Sequence, residues 1–163
     1  MTRGTPARKS ALEYAVHALT RRAYSTAELR KKMLEKQYDC RETGEVLQLF
    51  LSRGFLNDTL YAENLVSVLQ ARGDGKKKIA GKLRLKGIAP EIISSVLEAM
   101  EKEIPEEEAA FASLLKKKSS LLREEDARKR KEKALRTLCS RGFSVSSAFS
   151  AWDRFCREEE LCQ

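Results

Sequence analysis

Apolar residues recur along this chain at helical spacing, and one pattern comes three times. In 25–37 the pair Leu29 and Met33 is followed by Tyr38, and in 75–87, fifty residues later, Ile79 and Leu83 are followed by Ile88. A further shift of fifty-five brings the pair onto Ala134 and Leu138, ahead of Phe143. Each pair stands at i, i+4 and so shares one face of a helix whose other positions are mostly charged. A repeat of this period marks an array of helical modules.

Helix-start signals divide the chain in the same way. Ser25-Thr26-Ala27-Glu28 is a capping box, with Tyr24 and Leu29 placed to staple it. Ser144 offers an N-cap flanked by Phe143 and Ala148, and Asp58 offers one at the start of the second unit. Pro90 and Pro105 suit first-turn positions, and Glu106, Glu107 and Glu108 favour the positive end of the helix that follows. The glycines of Gly73-Asp74-Gly75 and Gly87 read as breaks with left-handed caps, and Gly54 closes the first unit. The predicted helices are 7–22, 26–36 and 40–53, then 58–72, 76–86 and 90–103, then 105–122, 124–141 and 145–157. The predicted fold is all-α, an elongated curved array of three tandem three-helix repeats at 1–55, 56–104 and 105–163. A unit of about fifty residues buries too little apolar surface to stand comfortably alone, so neighbouring units are expected to share contacts.

Composition narrows the function. Charged residues make up 34% of the 163, aromatics 7%, and the net charge of +8 biases the chain toward polyanions or acidic protein surfaces. Cys40, Cys139, Cys156 and Cys162 show no C-x-x-C spacing and the single histidine, His17, lies far from them, so no metal site is expected and reduced thiols are. With no leader pattern and no run near eighteen apolar residues, the chain reads as cytoplasmic, with no membrane partner. No nucleophile and base, metal set or cofactor fingerprint has convincing spacing, which excludes an enzyme and a bound cofactor.

Candidate binding chemistry lies in the middle helices. The second holds Arg72, Lys76, Lys77, Lys78, Lys82, Arg84 and Lys86 against the single acid Asp74. Lys78, Lys82 and Lys86 line one face, where like charges destabilise the helix unless something acidic accepts them. The third carries Arg128, Lys129, Lys131, Lys133, Arg136 and Arg141 within a run whose one acid is Glu132. The matched positions Lys36, Lys86 and Arg141 are basic in all three units and, if the units stack in line, form a discontinuous cationic ridge. In the first middle helix Glu28 and Glu35 dilute the charge, and solubility suffices to explain its lysines. Gly73-Asp74-Gly75-Lys76-Lys77 lacks the spacing of a phosphate loop and reads as a helix break. Tyr61 and Trp152 read as core before base-stacking platforms, and His17 as packing or surface.

The order of these motifs resembles that of the RecX family of bacterial recombination regulators over nearly the whole chain. The likeness is carried by Arg22-Ala23-Tyr24-Ser25-Thr26-Ala27-Glu28-Leu29, by Gly54-Phe55-Leu56-Asn57-Asp58 with Tyr61-Ala62, and by Gly75, Ile79, Leu83 and Lys86-Gly87-Ile88. Leu138-Cys139-Ser140-Arg141-Gly142-Phe143-Ser144 completes it. Two positions depart: Gln37 stands where the family commonly has glycine, and Asn57 replaces the first acid of a frequent Leu-Asp-Asp. The chain itself is expected to be a monomer, and the resemblance implies a repeated three-helix protein that binds in the helical groove of the RecA nucleoprotein filament. There it restrains strand exchange, ATP hydrolysis and the coprotease role of RecA in the SOS response. The alternatives are a basic protein that binds single- or double-stranded DNA directly, which predicts a steep salt dependence without RecA, and a helical adaptor for acidic proteins.

Overall fold

The computed structural model describes residues 10–159. The helices are α1 (Ala11–Arg21), α2 (Thr26–Glu35), α3 (Cys40–Ser52), α4 (Asp58–Ala71), α5 (Lys76–Leu85), α6 (Pro90–Glu103), α7 (Glu106–Leu115), α8 (Lys118–Leu122), α9 (Ala127–Ser140) and α10 (Val145–Glu158). The all-α, tandem three-helix reading is borne out. Residues 7–9 of the first predicted helix lie outside the described residues. The chain divides into two compact units, one running to Tyr61 and taking in Lys86–Ile88, the other holding Ala62–Leu85 and the chain from Ala89 onward.

In the first unit Ser25 Oγ accepts the Glu28 N–H at 3.1 Å and Glu28 accepts the Ser25 N–H, closing the predicted capping box. Tyr24, Leu29, Met33 and Tyr38 join Ala11, Ala15, Leu47 and Phe50 in one apolar cluster of α1, α2 and α3. Asp39 caps α3 through the Arg41 and Glu42 N–H groups.

The cap of α4 differs from expectation. Asn57, not Asp58, is the N-cap: its side chain accepts the Leu60 N–H at 3.0 Å and its carbonyl the Tyr61 N–H at 3.0 Å. Asp58 is the first helical residue and turns its carboxylate onto the Thr26 N–H of α2 at 2.8 Å. The substitution of amide for acid at 57 therefore keeps the cap, while the following acid serves a different helix.

In the second unit the apolar faces of α5 (Ile79, Leu83) and α6 (Ile93, Val96, Leu97, Met100) are buried, as are Val66 and Leu69 of α4. Pro90 takes the first-turn position predicted for it, whereas Pro105 lies one residue earlier, as the N-cap of α7. The predicted helix 105–122 breaks in two at Lys116 and Lys117. A tight bond from the Lys117 N–H to the Leu114 carbonyl, 2.7 Å, ends α7, and the redirected α8 delivers Leu121 to a cluster with Ala134, Leu138, Phe143, Trp152 and Phe155. Three consecutive lysines offer nothing to bury at the break. The predicted start of the following helix, 124, moves to Ala127 because Asp126 caps it through the Arg128 and Lys129 N–H groups. Ser144 caps α10 as expected. Arg154 holds α10 to α7, its guanidinium 2.6 Å from Glu108 and 4.1 Å over the Phe111 ring.

Candidate partner-binding surface

The end of each basic middle helix is set by a left-handed residue: Gln37 at φ 62°, Gly87 at 70° and Gly142 at 89°. At the two glycines this turn seats on the start of another middle helix. In the first unit the Lys86 carbonyl accepts from Ser25 Oγ, and Gly87 lies so close to Ala27 that a Cβ would collide with it. In the second unit the same joint recurs with backbone donors. The Gly75 N–H donates to the Arg141 carbonyl at 2.7 Å and the Lys77 N–H to the Gly142 carbonyl at 3.1 Å. A Cβ on Gly142 would lie 2.5 Å from the Lys78 nitrogen, and one on Gly75 would lie 2.7 Å from the Phe143 nitrogen. This joint takes the Gly75 and Lys77 N–H groups, and the end of α4 takes those of Gly73 and Asp74, so four of the N–H groups of 73–77 are not available to a phosphate.

The side chains that the sequence matched at these ends lock the joints. Lys86 Nζ is 2.7 Å from Glu28, which also accepts from the Tyr61 hydroxyl at 2.9 Å and faces Arg22 at 3.5 Å. Burial pushes the Glu28 carboxyl up, but hydrogen bonds from Lys86 and Tyr61 and the Lys86 charge outweigh it and hold the group below its ordinary range. For Tyr61, burial and then the Glu28 hydrogen bond push the phenol up to about 12. Arg141 reaches the Arg72 and Gly73 carbonyls at 2.6 and 3.1 Å, and Lys116 the Ala71 carbonyl at 2.7 Å, placing two cations on the negative end of α4.

Several predicted binding residues are thus engaged within the fold. Asp74, whose side chain is only 7% exposed, receives Lys78 at 2.8 Å and Lys82 at 2.6 Å. Its burial acts to raise the carboxyl, but the two lysine hydrogen bonds and charges prevail and lower it. This is the acid that the like-charged face required. Lys76 pairs with Glu101, Arg128 lies 3.5 Å from Glu132, Lys131 stands over the Phe149 ring and Lys133 Nζ reaches the Ser120 carbonyl at 2.7 Å. Arg72, Lys77, Arg84, Lys129 and Arg136 are exposed, with no side-chain partner among the described residues. Lys129, Lys133 and Arg136 stand at i, i+4 and i+7 on α9, opposite the buried Ala134 and Leu138. Tyr61 is half-buried in the Glu28 network, Trp152 is core and His17 is exposed.

Sequence reasoning missed the acceptors Glu28, Asp58 and Glu106. Glu106 takes the Ser144 N–H at 3.0 Å and the Ser147 hydroxyl at 2.9 Å. Their partners lie more than thirty residues away in the chain, where no local spacing reveals them. Asp74 alone carried a local signal, four residues before Lys78.

Fold and surface together define a tandem three-helix binding protein with cationic helix faces. Residues 11–48 match the model of the RecX first three-helix domain, and residues 57–97 that of the RecX second three-helix domain. The regulatory protein RecX of Mannheimia succiniciproducens is 37% identical over 134 residues, covering 82% of this chain and 86% of that one, and RecX of Haemophilus influenzae strain 86-028NP matches to the same extent. The crystal structure of RecX from Lactobacillus salivarius superposes with a TM-score of 0.76 over 88% of this chain and 93% of that one at 19% identity, which shows the fold. This chain belongs to the RecX family, non-catalytic regulators in DNA recombination and repair. Among the described residues, no helix is long and apolar enough to cross a membrane.

Proposed function

We propose that this chain acts as a cytoplasmic monomer that binds the RecA nucleoprotein filament in its helical groove and restrains strand exchange, ATP hydrolysis and the coprotease role. Family membership supports the regulatory part of this reading. The observation that carries the contact is the α9 face of Lys129 and Arg136, exposed, unpartnered among the described residues and turned away from the helix's own core, with Lys133 between them also reaching the Ser120 carbonyl. Arg72, Lys77, Arg84, Arg128 and Lys131 complete the contact set. Lys76, Lys78, Lys82, Lys86 and Arg141, all within reach of acids or carbonyls of the fold, hold the helices in register. Of the repeats 1–55, 56–104 and 105–163, the second and third carry these contacts, each weak by itself, and their sum gives the affinity.

Titration of the protein into preformed filaments of RecA, single-stranded DNA and ATP tests this, with ATP turnover and strand exchange as readouts. Both fall as the protein is added. Unchanged rates at saturating protein contradict the proposal. Tight, steeply salt-dependent binding to bare DNA with no effect on RecA favours direct nucleic-acid binding instead.

A further inference from the structure

Gly81 lies in the middle of α5, where glycine is the poorest choice after proline. Nothing inside the fold asks for it. Gly81 is not among the positive-φ residues, and a Cβ there would meet no atom within 4 Å. Gly75 and Gly142 differ, since each is pressed against a neighbouring backbone. A mid-helix glycine with open space over it, a condition that Gly44 of α3 shares, leaves room for another molecule's backbone to come close to the helix, and the neighbouring side chains decide whether one would.

The residues around Gly81 specify that molecule. Lys77, Arg84 and Leu85 stand at i−4, i+3 and i+4 from it, forming one stripe away from the buried Ile79 and Leu83. Leu85 is 87% exposed, more than any other large apolar side chain described. Lys77 and Arg84 have no side-chain partner among the described residues, whereas the helix's other three lysines all reach carboxylates. The helix therefore sorts its charge, with paired lysines holding the fold and two unpaired cations flanking a bare backbone and an exposed leucine.

We infer that this stripe docks an acidic protein segment carrying at least one apolar side chain, its backbone seated against Gly81, its carboxylates on Lys77 and Arg84 and its apolar group on Leu85. A phosphodiester backbone would satisfy the two cations but give Leu85 no apolar cover, so the chemistry favours protein over nucleic acid. The inference rests on the proposed function, which makes the segment part of the recombinase filament.

The test uses the full chain and preformed RecA filaments on single-stranded DNA. Binding is followed by fluorescence anisotropy for the parent, Gly81→Ala, Gly81→Gln, Arg84→Glu and Leu85→Ser, and thermal midpoints are recorded for each. Gly81→Ala and Gly81→Gln melt no lower than the parent because they strengthen the helix. Gly81→Gln, Arg84→Glu and Leu85→Ser each weaken filament binding about tenfold or more. If the parent binds and Gly81→Gln binds equally well, the docking stripe is overturned while the proposed function stands. If the parent does not bind, the proposed function falls and the stripe with it. Variants that keep filament binding but lose affinity for bare single-stranded DNA overturn the inference in favour of a nucleic-acid contact.

Discussion

At the scale of the residue, position decides what a given side chain does more than its type. Gly142 and Gln37 share a left-handed turn, yet only Gly142 is pressed against a neighbouring helix, while Gln37 is exposed. Gly142→Ala is expected to lower stability by ~2–4 kcal/mol, combining left-handed strain with the collision at Lys78. Gln37→Gly is expected to stay within about 1 kcal/mol of the parent, as relieved strain offsets the freedom gained by the unfolded chain. Urea midpoints measure both, and an unchanged midpoint for Gly142→Ala would deny that the turn is seated. Asp74 gives a second prediction. Its folded pKa lies below the ordinary 3.8, so its contribution is present above about pH 4 and is lost as pH falls through the depressed value. Asp74→Asn should cost ~1–3 kcal/mol at neutral pH and flatten the acid limb of a stability profile. The limb keeps the part that Glu28 and Glu106, shifted in the same direction, contribute.

At the scale of the element, the periodic pairs Leu29/Met33, Ile79/Leu83 and Ala134/Leu138 made the helices and their repetition legible, because burial of one face at i, i+4 is a local demand. All six side chains are fully buried. The caps were legible where they are local, as at Ser25 and Ser144, and misread where the acid serves another helix, as at Asp58. The break between α7 and α8 left no mark in composition beyond three lysines. The direction of Lys86 and Arg141 also escaped the sequence. Both read as outward charges, but the turn that follows each one carries it into a joint whose other half is encoded far away. Asp58→Ala should leave the Thr26 N–H in the first turn of α2 without its acceptor, the Ser25 cap remaining, and cost ~0.5–2 kcal/mol, about as much as Asn57→Ala costs at α4. Denaturation that leaves Asp58→Ala as stable as the parent would show that the Thr26 N–H needs no such acceptor.

At the scale of the whole molecule, the cations fall into two sets, those closed on acids and carbonyls of the fold and those facing solvent. The sequence could count them but not sort them, since sorting depends on acids brought near by folding. On α9 the solvent-facing cations are Lys129 and Arg136, while Lys133 also reaches the Ser120 carbonyl. A double reversal, Lys129→Glu and Arg136→Glu, should raise the concentration needed to slow RecA's ATP turnover by at least about tenfold while leaving the melting temperature nearly unchanged. The most direct measurement is imaging of RecA filaments on single-stranded DNA decorated with this protein. Groove binding predicts continuous density along the helical groove for the parent and bare filaments for the double variant. Density confined to filament ends, or equal groove decoration by both proteins, would contradict it.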